Sequence, residues 1–231
     1  MSGPEQDEWS QSVTRSERTK ARILIAAERL FAQRGIEGTS LREISAAAGL
    51  ANTSSVQYHF GGKDELLQGL FTHRMLQMEA RRGAMLERAE DGGLLDDMRT
   101  LMDIICLPHI DLADRDGRYC YAEFLAQYLL RYRPPVGPIA DPPELPAPVN
   151  LYRVQQLIRA RLDHLPEDVI VRRLIVAVLG FLAVLINHKS FEQGAGPGLD
   201  VALSDTLEQI ASAMSAPFSG NAVRSMPTSQ A

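Results

Sequence analysis

Polar side chains able to read nucleic acid are concentrated between Thr39 and Lys63 of this 231-residue chain. Thr53, Ser54, Ser55 and Gln57 have the reach and the hydrogen-bonding groups to meet base edges or phosphate oxygens. Arg18, Lys20 and Arg42 could reach neighbouring phosphates, and Thr39 and Ser40 could offer hydroxyls and amides to the other side of a groove. Helix capping alone would also account for Thr39, Ser40 and Asn52. Other chemistry finds little support. The chain has no Gly-x-Ser-x-Gly, no phosphate-cradling glycine loop and no His-Glu-x-x-His, so it nominates no catalytic residue. His59, His73, His109, His164 and His188 never recur at i, i+4, and neither a metal site nor a cofactor is expected. Asp96-Asp97 reads as solvated helix face.

The elements that must hold these side chains are short helices. Ser40 and Glu43 stand in capping-box spacing, which starts a helix at residue 40, with Leu41, Ile44 and Ala48 on its buried face. Gly49 permits a tight turn, and Asn52 or Thr53 can cap a second helix that buries Val56 and Phe60. Gly61-Gly62 ends it. Upstream, Ser16 can cap a first helix to about Arg34, whose Ile23, Ala26, Ala27, Leu30 and Phe31 form one apolar stripe before the stop at Gly35. Two short helices about a glycine turn make a helix-turn-helix, the second helix of which enters the DNA major groove.

This region resembles the DNA-binding domain of the TetR family of transcriptional regulators. The resemblance rests on Arg18 to Gly35 with its Leu30-Phe31, on Thr39-Ser40-x-x-Glu43-Ile44, on Ala48-Gly49, and on Tyr58-His59-Phe60-Gly61-Gly62-Lys63. It covers roughly residues 15 to 70. It implies that Tyr58 and His59 contact backbone oxygens while Phe60 packs inward, and that Lys63 grips a phosphate. It further implies pairing through the C-terminal helices.

Charge agrees with a split molecule. Residues 15 to 63 carry eight Arg/Lys against four Glu, a net +4, which leaves −9 for the rest of a chain of net charge −5. A basic head on an acidic body is what facing phosphates requires, although a solvated helix face would read the same way. Cys106 and Cys120 lack zinc-like spacing and read as buried free thiols of a reducing compartment. Met1 to Ser10 is no secretory signal, and the longest apolar run, Leu174 to Ile186, is too short for the roughly 20 residues that span a bilayer. The expected location is the cytoplasm, with no membrane partner.

The expected fold is all-α: a polar tail (1–14), a three-helix DNA-binding head (15–63), a larger helical regulatory and dimerisation body (64–216), and a second tail (217–231). A long helix from Asp64 to about Glu90 should connect head and body, followed by helices over 94–107, 118–131, 149–164, 167–190 and 200–214. Residues 134 to 148 hold seven of the thirteen prolines and read as an exposed loop, or as a lid. Tyr121, Leu125, Tyr128 and Tyr132 share one helix line, which is either ordinary core or a pocket wall. By register, Met102, Ile105, Cys106, Phe124, Tyr128 and Phe181 would line the site of a small, largely apolar effector. Helices 167–190 and 200–214 would pair two subunits as a four-helix bundle. The leading reading is a homodimeric repressor of a palindromic DNA operator, released by that effector. A DNA-binding dimer without effector is the alternative, and an enzyme has no supporting motif.

Overall fold

The computed structural model describes residues 15–132, 148–189 and 198–218. The expected first tail, the expected second tail from residue 219 onward, most of the proline-rich stretch (134–147) and residues 190–197 lie outside the described residues. Among those described, every regular element is helical. The head comprises α1 (Arg15–Arg34), α2 (Leu41–Ala47) and α3 (Ser54–Phe60). The body comprises α4 (Lys63–Gln77), α5 (Glu79–Asp91), α6 (Met98–Cys106), a 3-10 turn (Leu107–Leu112), α7 (Cys120–Tyr132), α8 (Val149–Arg161), α9 (Glu167–Ile186) and α10 (Leu199–Met214).

Two expectations about the helices change. α1 already includes Arg15, so Ser16 lies inside it rather than capping it. The long connecting helix is interrupted at Met78, and the interruption has a local cause. The side chain of Arg82 is buried and donates from Nη1 to the Met75 carbonyl at 3.2 Å, the acceptor that the Glu79 N–H would take in an unbroken helix. A side-chain donor set into the i→i−4 ladder is a recognised origin of helix breaks. Further on, Asp97 is not solvated helix face. It is the N-cap of α6, its carboxylate accepting from the Thr100 N–H at 2.8 Å and the Thr100 hydroxyl at 2.7 Å.

One continuous apolar core runs from Ile23 in the head to Met214 in the body. α4 leaves the head covalently, and α7 docks against α1 from the body side. α9 is long and apolar enough to cross a bilayer by length and composition. It packs instead on α6, α7 and α10, as the central helix of the body does. Arg173 on α9 donates to the Met214 carbonyl at 2.6 Å and so ties down the last turn of α10.

Candidate functional site

The reading head is set by its turn. Ser40 caps α2 as expected: its hydroxyl accepts from the Glu43 N–H at 3.3 Å, and the Glu43 carboxylate accepts from the Ser40 N–H at 2.9 Å. These bonds from Ser40, with Arg34 beside it at 2.7 Å, hold the Glu43 carboxyl below its ordinary range. Gly49 takes φ +66°, and a Cβ there would lie 2.7 Å from Nη2 of Arg22. Glycine is therefore favoured by the left-handed backbone, and any side chain there would also push the guanidinium aside. Arg22 reaches across from α1 to donate to the carbonyls of Ala48 and Gly49, clamping the turn to the first helix. Ser45 donates to the Asn52 carbonyl at 2.5 Å, and the Asn52 side chain accepts from the Ser54 N–H at 3.1 Å to start α3. Thr53 is the N-cap residue by position, but its side chain makes no capping bond.

On this frame Ser54, Gln57 and Tyr58 are exposed, Tyr58 at 84%, while Val56 is fully buried and anchors α3. Thr53, Ser55, His59 and Lys63 are half-buried beside them. Tyr58 meets His59 edge-on with ring centroids 5.1 Å apart. Burial and then the charge of Lys20 lower the pKa of His59, which places Lys20 of α1 near the last turn of α3 and leaves the imidazole neutral at neutral pH. Arg18, Ser40 and Arg42 are exposed.

Thr39 departs from expectation. It is 1% exposed, and its hydroxyl donates to the carbonyls of Gly35 at 2.8 Å and Leu30 at 3.3 Å, so it closes the end of α1 rather than facing a groove. Two of the eight cations counted in the head are likewise engaged within it, Arg22 on the turn and Arg34 on Glu43.

In the body, Met102, Ile105, Cys106, Phe124, Tyr128 and Phe181 are all buried, and the aromatic ones belong to two neighbourhoods that meet where Tyr121 packs against Phe124 with ring centroids 5.9 Å apart. Phe124 stacks on Phe31 of α1 at 5.8 Å and on Tyr128 at 5.7 Å, and Tyr128 stacks on Phe71 at 5.6 Å. These rings form the seam between head and body. Gln127 of α7 strengthens it, donating to the Phe31 carbonyl at 3.2 Å and accepting from the Ile36 N–H at 3.3 Å. Beneath the seam, Arg74 of α4 grips Glu28 of α1 through two bonds of 2.6 Å.

Phe181 belongs to the other neighbourhood, edge-on to His109 at 6.3 Å, where Cys106 accepts from His109 through its carbonyl at 2.9 Å. Arg82, His109 and Tyr121 complete this second cluster; the sequence reading put Tyr121 on a line that is either core or a pocket wall, and named neither Arg82 nor His109 as a lining residue. A signal was available for Arg82: Met75, Met78, Leu86 and Ala89 form an apolar helical stripe, and Arg82 sits in its middle.

The family model described as bacterial regulatory proteins, tetR family, matches residues 23–70. The HTH-type transcriptional repressor Rv3405c of Mycobacterium tuberculosis is 42% identical over 84 residues, covering 34% of this chain and 44% of the repressor. The HTH-type transcriptional regulator TtgR of Pseudomonas putida is 40% identical over 55 residues, or 24% of this chain and 26% of that protein. The chain thus spans less than half the length of the curated relatives it matches. A crystal structure from Shewanella sp. PV-4, assigned to the tetR family of transcription regulators, matches 84% of this chain and 97% of its own with a TM-score of 0.58 at 20% identity. At that identity the likeness speaks for the fold, head and body together.

Proposed function

We propose, for a chain that belongs to the TetR family of helix-turn-helix regulators through its N-terminal domain, that it is a homodimeric transcriptional repressor whose operator affinity is set by a small molecule in the helical body. The observation that carries the DNA-binding half is the exposed polar face of α3, Ser54, Gln57 and Tyr58, held rigidly by the Arg22 clamp and flanked by Lys20 and Lys63. Ser54, Ser55, Gln57 and Thr53 would read bases, and Arg18, Lys20, Ser40, Arg42, Tyr58, His59 and Lys63 would hold phosphates. Recognition would take place in the cytoplasm.

Pairing is supported by the face of α9 that the described residues leave open. Val176 is 65% exposed there, and Gly180 sits in mid-helix, where glycine costs roughly 1 kcal/mol relative to alanine. Among the described residues nothing asks for that glycine: a Cβ would meet Ile210 Cδ1 at 4.0 Å, ordinary contact. A second copy packing helix to helix supplies the reason. A pair of heads would then meet successive major grooves of a two-fold symmetric site.

Release by an effector is supported by the joints between head and body. α4 carries Lys63 at one end and the Met78 break at the other, and the α1–α7 seam gives the body a second grip on the head. A ligand that favours one setting of these joints shifts the spacing of the two heads, in proportion to its differential affinity for the two states. The test is the stoichiometry and reversal of operator binding. Two chains per duplex, dissociated by an extract-derived or synthetic small molecule, is the expected result. One chain per duplex would contradict the dimer, and retention of DNA against every ligand that binds the body would favour the effector-free alternative.

A further inference from the structure

Three buried polar atoms in the body have no hydrogen-bond partner among the described residues: Arg82 Nε, His109 Nε2 and Tyr121 Oη. They are not scattered. The His109 and Tyr121 rings stack at 6.1 Å, and the charge of Arg82 acts on Cys106, His109 and Tyr121 alike. A buried polar group left unpaired loses its hydration without compensation, so three together in one core call for an explanation.

Each atom has a defined hydrogen-bonding role. His109 Nδ1 lies 2.9 Å from the Cys106 carbonyl, which can only accept, so Nδ1 carries the proton and Nε2 is a bare acceptor. Burial and then the Arg82 charge push the pKa of His109 down to about 3, so the ring is neutral. Arg82 Nε–H is a cationic donor. Its counter-charge, Glu79, accepts from Nη1 at 3.4 Å while also accepting from the Asn150 N–H at 2.7 Å and the Leu151 N–H at 3.1 Å at the start of α8, which leaves Nε–H without an acceptor among the described residues. Tyr121 Oη can donate, and burial keeps its proton on.

We infer that this cluster is the recognition site for a small hydroxy acid with an apolar body, its carboxylate accepting from Arg82 Nε–H and Tyr121 Oη–H and its hydroxyl donating to His109 Nε2. The inference rests on the effector reading above and gives that effector its chemistry. Met102, Ile105 and Phe181 would face the apolar part. The location also supplies the coupling. The same guanidinium holds the Met75 carbonyl at the α4–α5 break, so an acid drawn to Nε acts on the helix whose far end carries Lys63.

The test is calorimetric titration of the full chain with mandelate, phenylacetate and benzyl alcohol, and with hydroxyoctanoate, octanoate and octanol as a longer series. The hydroxy acid of at least one series should bind most tightly, the plain acid less, and the alcohol least. Tyr121→Phe removes one unpaired oxygen and nothing else, so its thermal midpoint should not fall, while its affinity for the hydroxy acid should drop about tenfold, the worth of one hydrogen bond to a charged group. Alcohols that bind as tightly as the acids, hydroxy acids that Tyr121→Phe holds equally well, or no binding of either series at millimolar concentration would each overturn the inference. Release of the operator by the neutral alcohols would then leave the repressor reading standing. Hydroxy-acid binding in the expected order, but without release, would sustain the site and refute the release.

Discussion

Lys63 and Gln57 are both polar residues of the reading head, yet they sit differently enough to be told apart by experiment. Lys63 is half-buried at the first position of α4, where side chain and helix terminus together present positive charge. Gln57 is exposed on α3, beside the buried Val56 that fixes the helix's rotation. Lys63→Ala should weaken binding to all DNA about equally and lower the salt slope by about 1, whereas Gln57→Ala should relax sequence preference by about 1–3 kcal/mol at one base position. Binding to a set of operator variants at several salt concentrations separates the two. A Lys63→Ala protein with altered preference and intact affinity would invert the assignment. The frame behind this face was legible because the Ser40 cap and the Gly49 turn are local signals. Thr39 was not, since a threonine before a helix reads the same whether its hydroxyl meets a phosphate or the end of a preceding helix. Only the fold brings Gly35 and Leu30 to it.

At the scale of elements the caps and joints decide the outcome. Asp97 begins α6, and the Thr100 side-chain and backbone bonds lower its pKa. Because the folded value lies below the ordinary aspartate value, this contribution is fully present above about pH 4 and is lost as pH falls through the folded value. Asp97→Ala should cost about 1 kcal/mol at neutral pH and remove that part of the acid sensitivity, as chemical denaturation across pH would report. Glu28 and Arg74 join α1 to α4 below the seam, with Glu28 only 4% exposed. Glu28→Gln leaves the partly buried Arg74 guanidinium short of its counter-charge and should destabilise the protein by about 2–3 kcal/mol. A loss under about 1 kcal/mol in urea denaturation would mean that the pair does not hold the joint. The sequence reading placed nearly every helix because its signals are periodic. It missed the Met78 break because the cause is a side chain four residues downstream turning back, which no spacing rule records. Nor does any spacing show that Phe31 and Phe71 from other helices stack on Phe124 and Tyr128.

The whole molecule is organised around two exposed surfaces, the α3 face at one end and the open side of α9. Val176→Arg places a charge on a side chain that the described residues leave 65% exposed, so the variant should still fold yet sediment as a monomer, with a thermal midpoint that no longer depends on protein concentration. Gly180→Leu should act in the same way through bulk alone. A dimer that survives both changes would place the pairing surface elsewhere. That α9 belongs to a body was legible from its apolar girth, but which side stays open depends on where α6, α7 and α10 settle. The central claim is that two such heads read one symmetric site. The most direct test is to select genomic fragments with the purified protein near physiological salt and to footprint those retained. A protected, two-fold symmetric site, its halves centred about one helical turn or a whole multiple apart, is the predicted result. Weak binding that is blind to sequence and lost with modest salt, with no symmetric footprint, would contradict it.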